Sequence, residues 1–206
     1  MATRREEFRQ GLEDHKAEFG VKLDAALINR LVQYYELLTK WNPRLHLVAP
    51  CSPREFATRH LLESLLLVKH LPLNASVIDI GSGGGLPIIP CLLVRDDLRA
   101  TLIESSRGKG VFLREALRTI HPANRTKLIV SRFEEVKAPS AAFVTSRALD
   151  KFGTILPELI AWAPKGATFL VFGGPSLADQ LKEMLALTIE KIPQSERRLL
   201  LIGRRT

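Results

Sequence analysis

From Ser76 onward the chain alternates short apolar runs with amphipathic stretches, and this alternation restricts the possible folds more than any other feature. The runs are Val77–Ile80, Ala100–Ile103, Leu128–Val130, Ala142–Thr145 and Ala167–Phe172. Helical spacing intervenes at 87–94, 107–120, 150–162 and 176–187. Strands that alternate with helices predict a parallel sheet covered on both faces. Two late runs, Leu187–Ile192 and Leu199–Ile202, are separated only by the short polar segment 193–198. A link that short cannot hold a crossover helix, so the last strand is expected to run antiparallel. The fold class is therefore α/β: a mostly parallel sheet with helices on both faces and one antiparallel strand at its end.

The first third reads differently. Phe8, Leu12 and Phe19 mark one stripe, and Leu27, Ile28, Leu31, Val32, Tyr35 and Leu38 keep helical spacing. A third helix is expected to begin at Ser52, with Pro53 in its first turn and Glu55 completing a capping box, and to run to about His70. The segment Trp41–Pro50 carries two prolines and is expected to be non-helical. These features divide the chain into a helical extension, 1–74, packed on an α/β core, 75–206.

Composition narrows the class. With 46% hydrophobic and 25% charged residues the chain is neither disordered nor membrane-embedded, and no segment reaches the roughly 20 apolar residues of a membrane span. A cytoplasmic location is expected. Cys51 and Cys91 have no CxxC pairing or histidine cluster, so neither a disulfide framework nor a metal site is expected. The net charge of +8 favours an anionic partner, and Arg107, Lys109, Arg114, Arg118, Arg125, Lys127 and Arg132 face a single acid, Glu115, between 105 and 132. Such a stretch is either an RNA-binding face or a solvated one.

The chemistry concentrates after the first core strand. Ser76–Ile80 leads into Gly81-Ser82-Gly83-Gly84-Gly85-Leu86-Pro87 and then a helix, the arrangement that lets a ligand approach the backbone. The turn reads GxGxG, and Leu86 stands where a dinucleotide fingerprint has its third glycine. Asp79, just before the turn, would repel a pyrophosphate and suit a cation. S-adenosylmethionine, with a sulfonium, an ammonium and no phosphate, fits that acid. Glu104 ends the next strand, where a carboxylate can accept both ribose hydroxyls. Phe133 and Glu134 follow the third strand, where they could bracket an adenine.

With these residues the chain resembles the bacterial small-subunit ribosomal RNA methyltransferase G family, the glucose-inhibited division protein B family. The resemblance runs from Tyr35 to about Leu181 and includes Trp41-Asn42, Arg59-His60, Glu63-Ser64, Asp79 to Pro87 with Pro90, Glu104-Ser105, Lys109, Phe112-Leu113, Arg132 with Glu134, and Thr145-Ser146-Arg147-Ala148. It implies a Rossmann-like class I methyltransferase that methylates N7 of a guanine in 16S ribosomal RNA, alone or in an assembling small subunit, as a monomer without metal. It also implies that Gly81, Leu86, Phe133, Glu134 and Arg147 contact the cofactor, to which Asp79, Gly83, Gly85 and Glu104 are added from the motif itself. Arg147 and Asn42 are the expected catalytic residues, and Lys109, Arg114 and Arg118 the expected RNA contacts. Guanine N7 carries a free lone pair, so alignment can suffice without a general base.

The chain departs from the family pattern at His46-Leu47-Val48, at Gly108, at Ile88-Ile89-Pro90, and at Gly173-Gly174, where a lysine usually follows the fifth strand. The alternatives are a methyltransferase of another substrate, a non-catalytic cofactor- or RNA-binding relative, and a nicotinamide enzyme, the last opposed by Leu86.

Overall fold

The computed structural model describes residues 2–120, 125–147 and 152–204. Strands β1 (Ser76–Ile80), β2 (Arg99–Glu104), β3 (Thr126–Val130), β4 (Phe143–Arg147), β5 (Thr168–Gly173), β6 (Ala186–Lys191) and β7 (Leu199–Arg204) form one sheet among the described residues. Their order is β3-β2-β1-β4-β5-β7-β6. The first five are parallel, while β7 lies antiparallel between β5 and β6. The expected sheet and its antiparallel end are therefore both present. The chain reverses direction along the sheet at β1, where the crossover to β4 opens a crevice at the carboxyl ends of both strands, and ligands of open α/β sheets bind in such crevices.

Helices α1 (Arg4–His15), α2 (Ala25–Leu45), α3 (residues 53–70), α4 (Ile88–Val94) and α5 (Arg107–Ile120) precede or connect the early strands; α6 (Phe152–Trp162) and α7 (Pro175–Lys182) follow β4 and β5. The alternating side chains of the strands divide the buried residues between the two faces. Val77, Leu102, Leu170, Phe172 and Leu200 join the cluster under α1, α2, α3, α4 and α5. Ile78, Ile80, Ile103, Val144, Phe169, Val171 and Leu201 join that of α6 and α7. The helix expected over 150–162 is described from Phe152, and Ala148 of the family element lies outside the described residues.

Three sequence expectations are corrected. Helix α2 does not stop before Trp41: it runs to Leu45 with Pro43 inside its last turns and ends on His46 in the left-handed region, φ 48°. The proline is tolerated because its ring sits on the exposed side of a helix whose other side is anchored by Ile28, Leu31, Val32, Tyr35 and Leu38. The helix expected over 52–70 starts where expected, with Ser52 Oγ accepting from Glu55 N, but the Glu55 carboxylate pairs with Arg59 rather than closing a capping box, and the winding changes along the helix. It is wound as a π-helix over Phe56–Leu62, returns to α over Glu63–Leu65 and tightens to 3-10 over Leu66–His70. The helix expected over 176–187 ends at Lys182, because Ala186 is already paired with Arg204 as the outermost strand begins.

The helices of the extension are fastened to one another by aromatic packing. Phe8 of α1 stacks on Tyr35 of α2 with centroids 4.2 Å apart and meets Phe56 of α3 edge-on at 6.0 Å. All three rings are buried. Since a Phe-to-Ala change in such a setting removes about 3–5 kcal/mol, Phe8→Ala is expected to lower the stability of the whole chain by that amount in one cooperative step. Urea unfolding followed in parallel by far-ultraviolet circular dichroism and tryptophan fluorescence checks this; separate transitions for extension and core would contradict it.

Candidate active site

Polar groups are forced together where β1 and β4 end. Strand β1 is central and, after Ser76, buried along its length, so Asp79 is carried inside with its apolar neighbours and is fully buried. Ser82 donates to the backbone carbonyl of Asp79 at 3.1 Å, and both carboxylate oxygens are left without a partner. Burial, reinforced by the nearby Glu104 carboxylate, pushes the Asp79 pKa well above the ordinary carboxylate range.

The turn that follows is held open by its backbone. Gly81, Gly83 and Gly85 have φ of 67°, 52° and 82°. A side chain at Gly85 would also run into Ile89, whose Cδ1 lies 2.3 Å from where a Cβ would stand. Glu104, at the end of β2, supports the turn by accepting from Gly83 N at 2.8 Å through one oxygen and from Ser106 N at 2.7 Å through the other. Each oxygen keeps further lone-pair capacity for a hydroxyl. On the helical side, the buried Tyr34 hydroxyl donates to the Gly84 carbonyl, and Leu38 and Leu47 pack against the Gly84 backbone. Tyr34 escaped the sequence reading because it merges with the apolar stripe of α2; the signal was its hydroxyl, which requires a partner once buried.

In front of the turn lies a cleft of about 540 Å³. Its floor is Gly81 to Gly84 and Leu86, and its walls come from loop 46–49, from Arg59, His60 and Glu63 of α3, from Lys109, and from Arg147, Phe172, Gly173, Gly174 and Arg198. Asn42 is not on these walls. Its amide is used at both ends on one residue, Nδ2 donating to the Val48 carbonyl at 3.1 Å and Oδ1 accepting from Val48 N at 2.9 Å. It holds the loop that forms the wall.

Arg147 ends β4 and crosses to the π-wound turn of α3. Its guanidinium donates to the carbonyls of Arg59 (2.6 Å) and His60 (3.3 Å) and to Glu63 (3.4 Å), and it lies over the Phe172 ring at 5.6 Å. The π winding leaves carbonyls of α3 available to this side chain. Glu63 also accepts from Arg198, at 2.9 Å from Nε and 2.6 Å from the terminal nitrogen. Burial raises the Glu63 pKa and the guanidiniums oppose that rise. Arg198 sits in the β6–β7 connection and was missed, since nothing in the local sequence says that this hairpin reaches the cleft. It brings a cation to the wall that also holds Gly173 and Gly174.

The other expected residues spread along the sheet edge. Phe133 is a buried side chain set edge-on to Trp162 at 5.4 Å, and Glu134 is paired with Arg132 at 3.3 Å, both beyond the end of β3. Lys109 reaches the cleft, whereas Arg114 and Arg118 occupy the exposed face of α5 with Arg107. Those three arginines make no ion pair among the described residues. Among the described residues no group of His, Cys, Asp or Glu could hold a metal ion, and no helix is long and apolar enough to cross a membrane.

The raised Asp79 pKa has a consequence for stability. Between the unfolded value, about 4, and the higher native value, the folded chain binds more protons than the unfolded one, so stability falls as pH rises through that window. Replacing the ionisable group by Asp79→Asn is therefore expected to raise the thermal midpoint of the ligand-free protein at pH 8 by several degrees and to do less at pH 5. Differential scanning calorimetry at the two pH values decides it: a midpoint lowered equally at both would show that the buried charge is not the cost.

Comparison with known proteins follows the same geometry. A solved M. jannaschii protein, TYW2 in complex with AdoMet, superposes with a TM-score of 0.56 over 70% of this chain and 75% of its own at 14% identity, a likeness of fold. The ribosomal RNA small subunit methyltransferase G of Xanthomonas euvesicatoria is 41% identical over 135 residues, which are 65% of this chain and 63% of that protein. Its counterpart in Paracoccus denitrificans is 38% identical over 151 residues, 70% of this chain and 75% of that one. The match thus spans just under two thirds of the Xanthomonas relative. The model of one family covers residues 27–197, and with that span, which contains the whole cleft but for Arg198, the chain belongs to the rRNA small subunit methyltransferase G family.

Proposed function

We propose that this chain binds S-adenosylmethionine and transfers its methyl group to N7 of a guanine in 16S ribosomal RNA, free or within an assembling small subunit. The observation that carries the reading is the Asp79 carboxylate, enclosed without a partner behind a turn of positive-φ glycines, with Glu104 at the end of the adjacent strand. A buried carboxylate with no partner suits a ligand that brings its own positive charge. Gly81, Gly83 and Gly85 allow close approach of that ligand, Leu86 closes the turn, and Glu104 has lone pairs left for a ribose. Phe133 and Glu134 stand one strand further along the sheet edge, on the side where the adenine would extend.

When bound, S-adenosylmethionine supplies an electrophilic methyl on a positively charged sulfur. The residues of this chain then have to align and to exclude water. Guanine N7 presents its lone pair without losing a proton; the new C–N bond takes up the methyl, the S–C electron pair stays with sulfur, and the positive charge passes to the purine. No side chain has to remove a proton. In this reading Arg147 and Asn42 do the work of positioning: Arg147 contacts the wall formed by Arg59, His60 and Glu63, and Asn42 holds the wall formed by 46–49. Lys109 and Arg198 supply cations inside the cleft, and Arg107, Arg114 and Arg118 an outer basic face for the RNA backbone. A monomer acting in the cytoplasm fits this reading.

Mapping N7-methylguanosine in small-subunit RNA after incubation with the protein and S-adenosylmethionine tests the assignment directly. In single-turnover form the same assay examines Arg147. A lysine ammonium cannot span two carbonyls and a carboxylate as the planar fork does, so Arg147→Lys should lose at least about tenfold in rate while keeping its fold. The wild-type profile should also lack a limb belonging to a base. Near-normal rates for the variant, or a basic limb that survives controls for stability, would count against the mechanism.

The outer face makes a separate prediction. Phosphate contacts release counterions, so RNA affinity should fall steeply with salt. Reversing both charges in Arg114→Glu/Arg118→Glu should flatten that slope by about one to two and weaken RNA binding without changing the affinity for S-adenosylmethionine. An unchanged slope in filter-binding titrations would mark the helix face as merely solvated.

A further inference from the structure

His60 has a protonation state and an exposure that the brace on α3 does not use. Its Nδ1 faces the Arg147 guanidinium at 3.4 Å. Guanidinium nitrogens only donate, so Nδ1 must accept and the ring proton must reside on Nε2. Nε2 has no hydrogen-bond partner among the described residues. It is not enclosed either, because the buried unpartnered side-chain nitrogens and oxygens among those residues are both on Asp79. His60 lines the cleft in front of the glycine turn, and Nε2 is the ring nitrogen not turned to Arg147. The ring is held against Phe56, with centroids 5.0 Å apart, so the donor has a set direction.

We propose that His60 reads the target base, its Nε2–H donating to the O6 carbonyl of a guanine whose N7 is turned toward the glycine loop. This rests on the guanine-N7 reading above and adds the residue that selects the base. Guanine presents two acceptors on this edge, N7 and O6, whereas adenine presents an amino donor in place of O6. A fixed donor beside the methyl site therefore accepts guanine and opposes adenine, N–H against N–H. The ring stays neutral throughout: burial first, then the positive charges of Arg147, Arg59 and Arg198, lower its pKa to about 3. The carboxylates beside this group are already engaged, Glu63 with both Arg147 and Arg198 and Glu55 with Arg59 at 2.8 Å. The donor is thus the same at neutral pH as at mildly acidic pH. A hydrogen bond to O6 withdraws electron density from the purine, so its benefit lies in binding and registration rather than in the nucleophilicity of N7.

The test uses small-subunit RNA in which the mapped target carries guanosine, inosine or 2-aminopurine. Inosine keeps O6 and N7 and loses only the 2-amino group; 2-aminopurine keeps N7 and lacks O6. For the wild-type protein, 2-aminopurine should raise the half-saturating RNA concentration about tenfold, the worth of one neutral hydrogen bond, with little change in the maximal single-turnover rate, and inosine should behave as guanosine. His60→Ala should bind guanosine and 2-aminopurine RNA equally, at the weaker level, with its affinity for S-adenosylmethionine intact. His60→Gln, which retains an N–H donor, should recover part of the preference for guanosine. If the wild type does not distinguish 2-aminopurine, or if His60→Ala keeps the full preference, the assignment of His60 is overturned while the guanine-N7 reading stands. If the wild type forms no N7-methylpurine on guanosine RNA, both readings are overturned.

Discussion

A carboxylate inside the protein with no partner of its own sets the terms for everything around it. Asp79 lies on a buried central strand of the sheet, and its two oxygens face no donor. Removing an ionisable group from water without compensation is expensive, and the surroundings keep it in place from several directions. Strands β2 and β4 flank it in register, Asp79 opposite Leu102 and Thr145. Ser82 and Ser146 occupy the backbone carbonyls of Asp79 and Ile80. Helix α2 closes the remaining side, with the Tyr34 hydroxyl on Gly84. What remains is a buried carboxyl group with unfilled acceptors behind the positive-φ glycines, which a cationic ligand can complete.

The opposite wall of the cleft has the complementary problem of excess positive charge. Arg147 and Arg198 converge on Glu63, with Arg59 and His60 beside them. One buried carboxylate cannot neutralise two guanidiniums, and Arg147 discharges its remaining donors onto carbonyls of the π-wound turn. The irregular winding of α3 and the placement of Arg147 are thus two aspects of one arrangement. Unusual helix winding tends to occur at functional sites, and His60, which lines the cleft, lies within this stretch. The result is a cleft with a glycine floor, backed by the buried Asp79 carboxyl, and a cationic rim of Lys109, Arg147 and Arg198.

Much of this was legible before any coordinates. The alternation of apolar runs required a doubly covered sheet, and the six-residue link before β7 required an antiparallel strand. Asp79, the glycine turn and Glu104 announced themselves because a cofactor loop needs particular residue types at contiguous positions. Pro43 misled, since a proline near a helix end is decided by which side of the helix faces solvent, and that depends on what the helix packs against. The roles of Asn42 and Arg147 were also beyond reach: both are polar residues near the site, and only their partners, Val48 and the carbonyls of α3, separate bracing from contact.

The sequence by itself determined the order of elements, the sheet that they form, the position of the cofactor turn and the basic character of α5. These follow from hydrophobic periodicity and from conformational requirements of glycine, which act over a few residues. The tertiary structure alone decided which groups meet across the cleft. Arg147 and Arg198 lie 84 and 135 residues from their shared partner Glu63, and Tyr34 lies 50 from the carbonyl that it holds. Such contacts depend on the packing of whole helices against the sheet, where burial forces each polar group to find whichever partner the fold brings within reach.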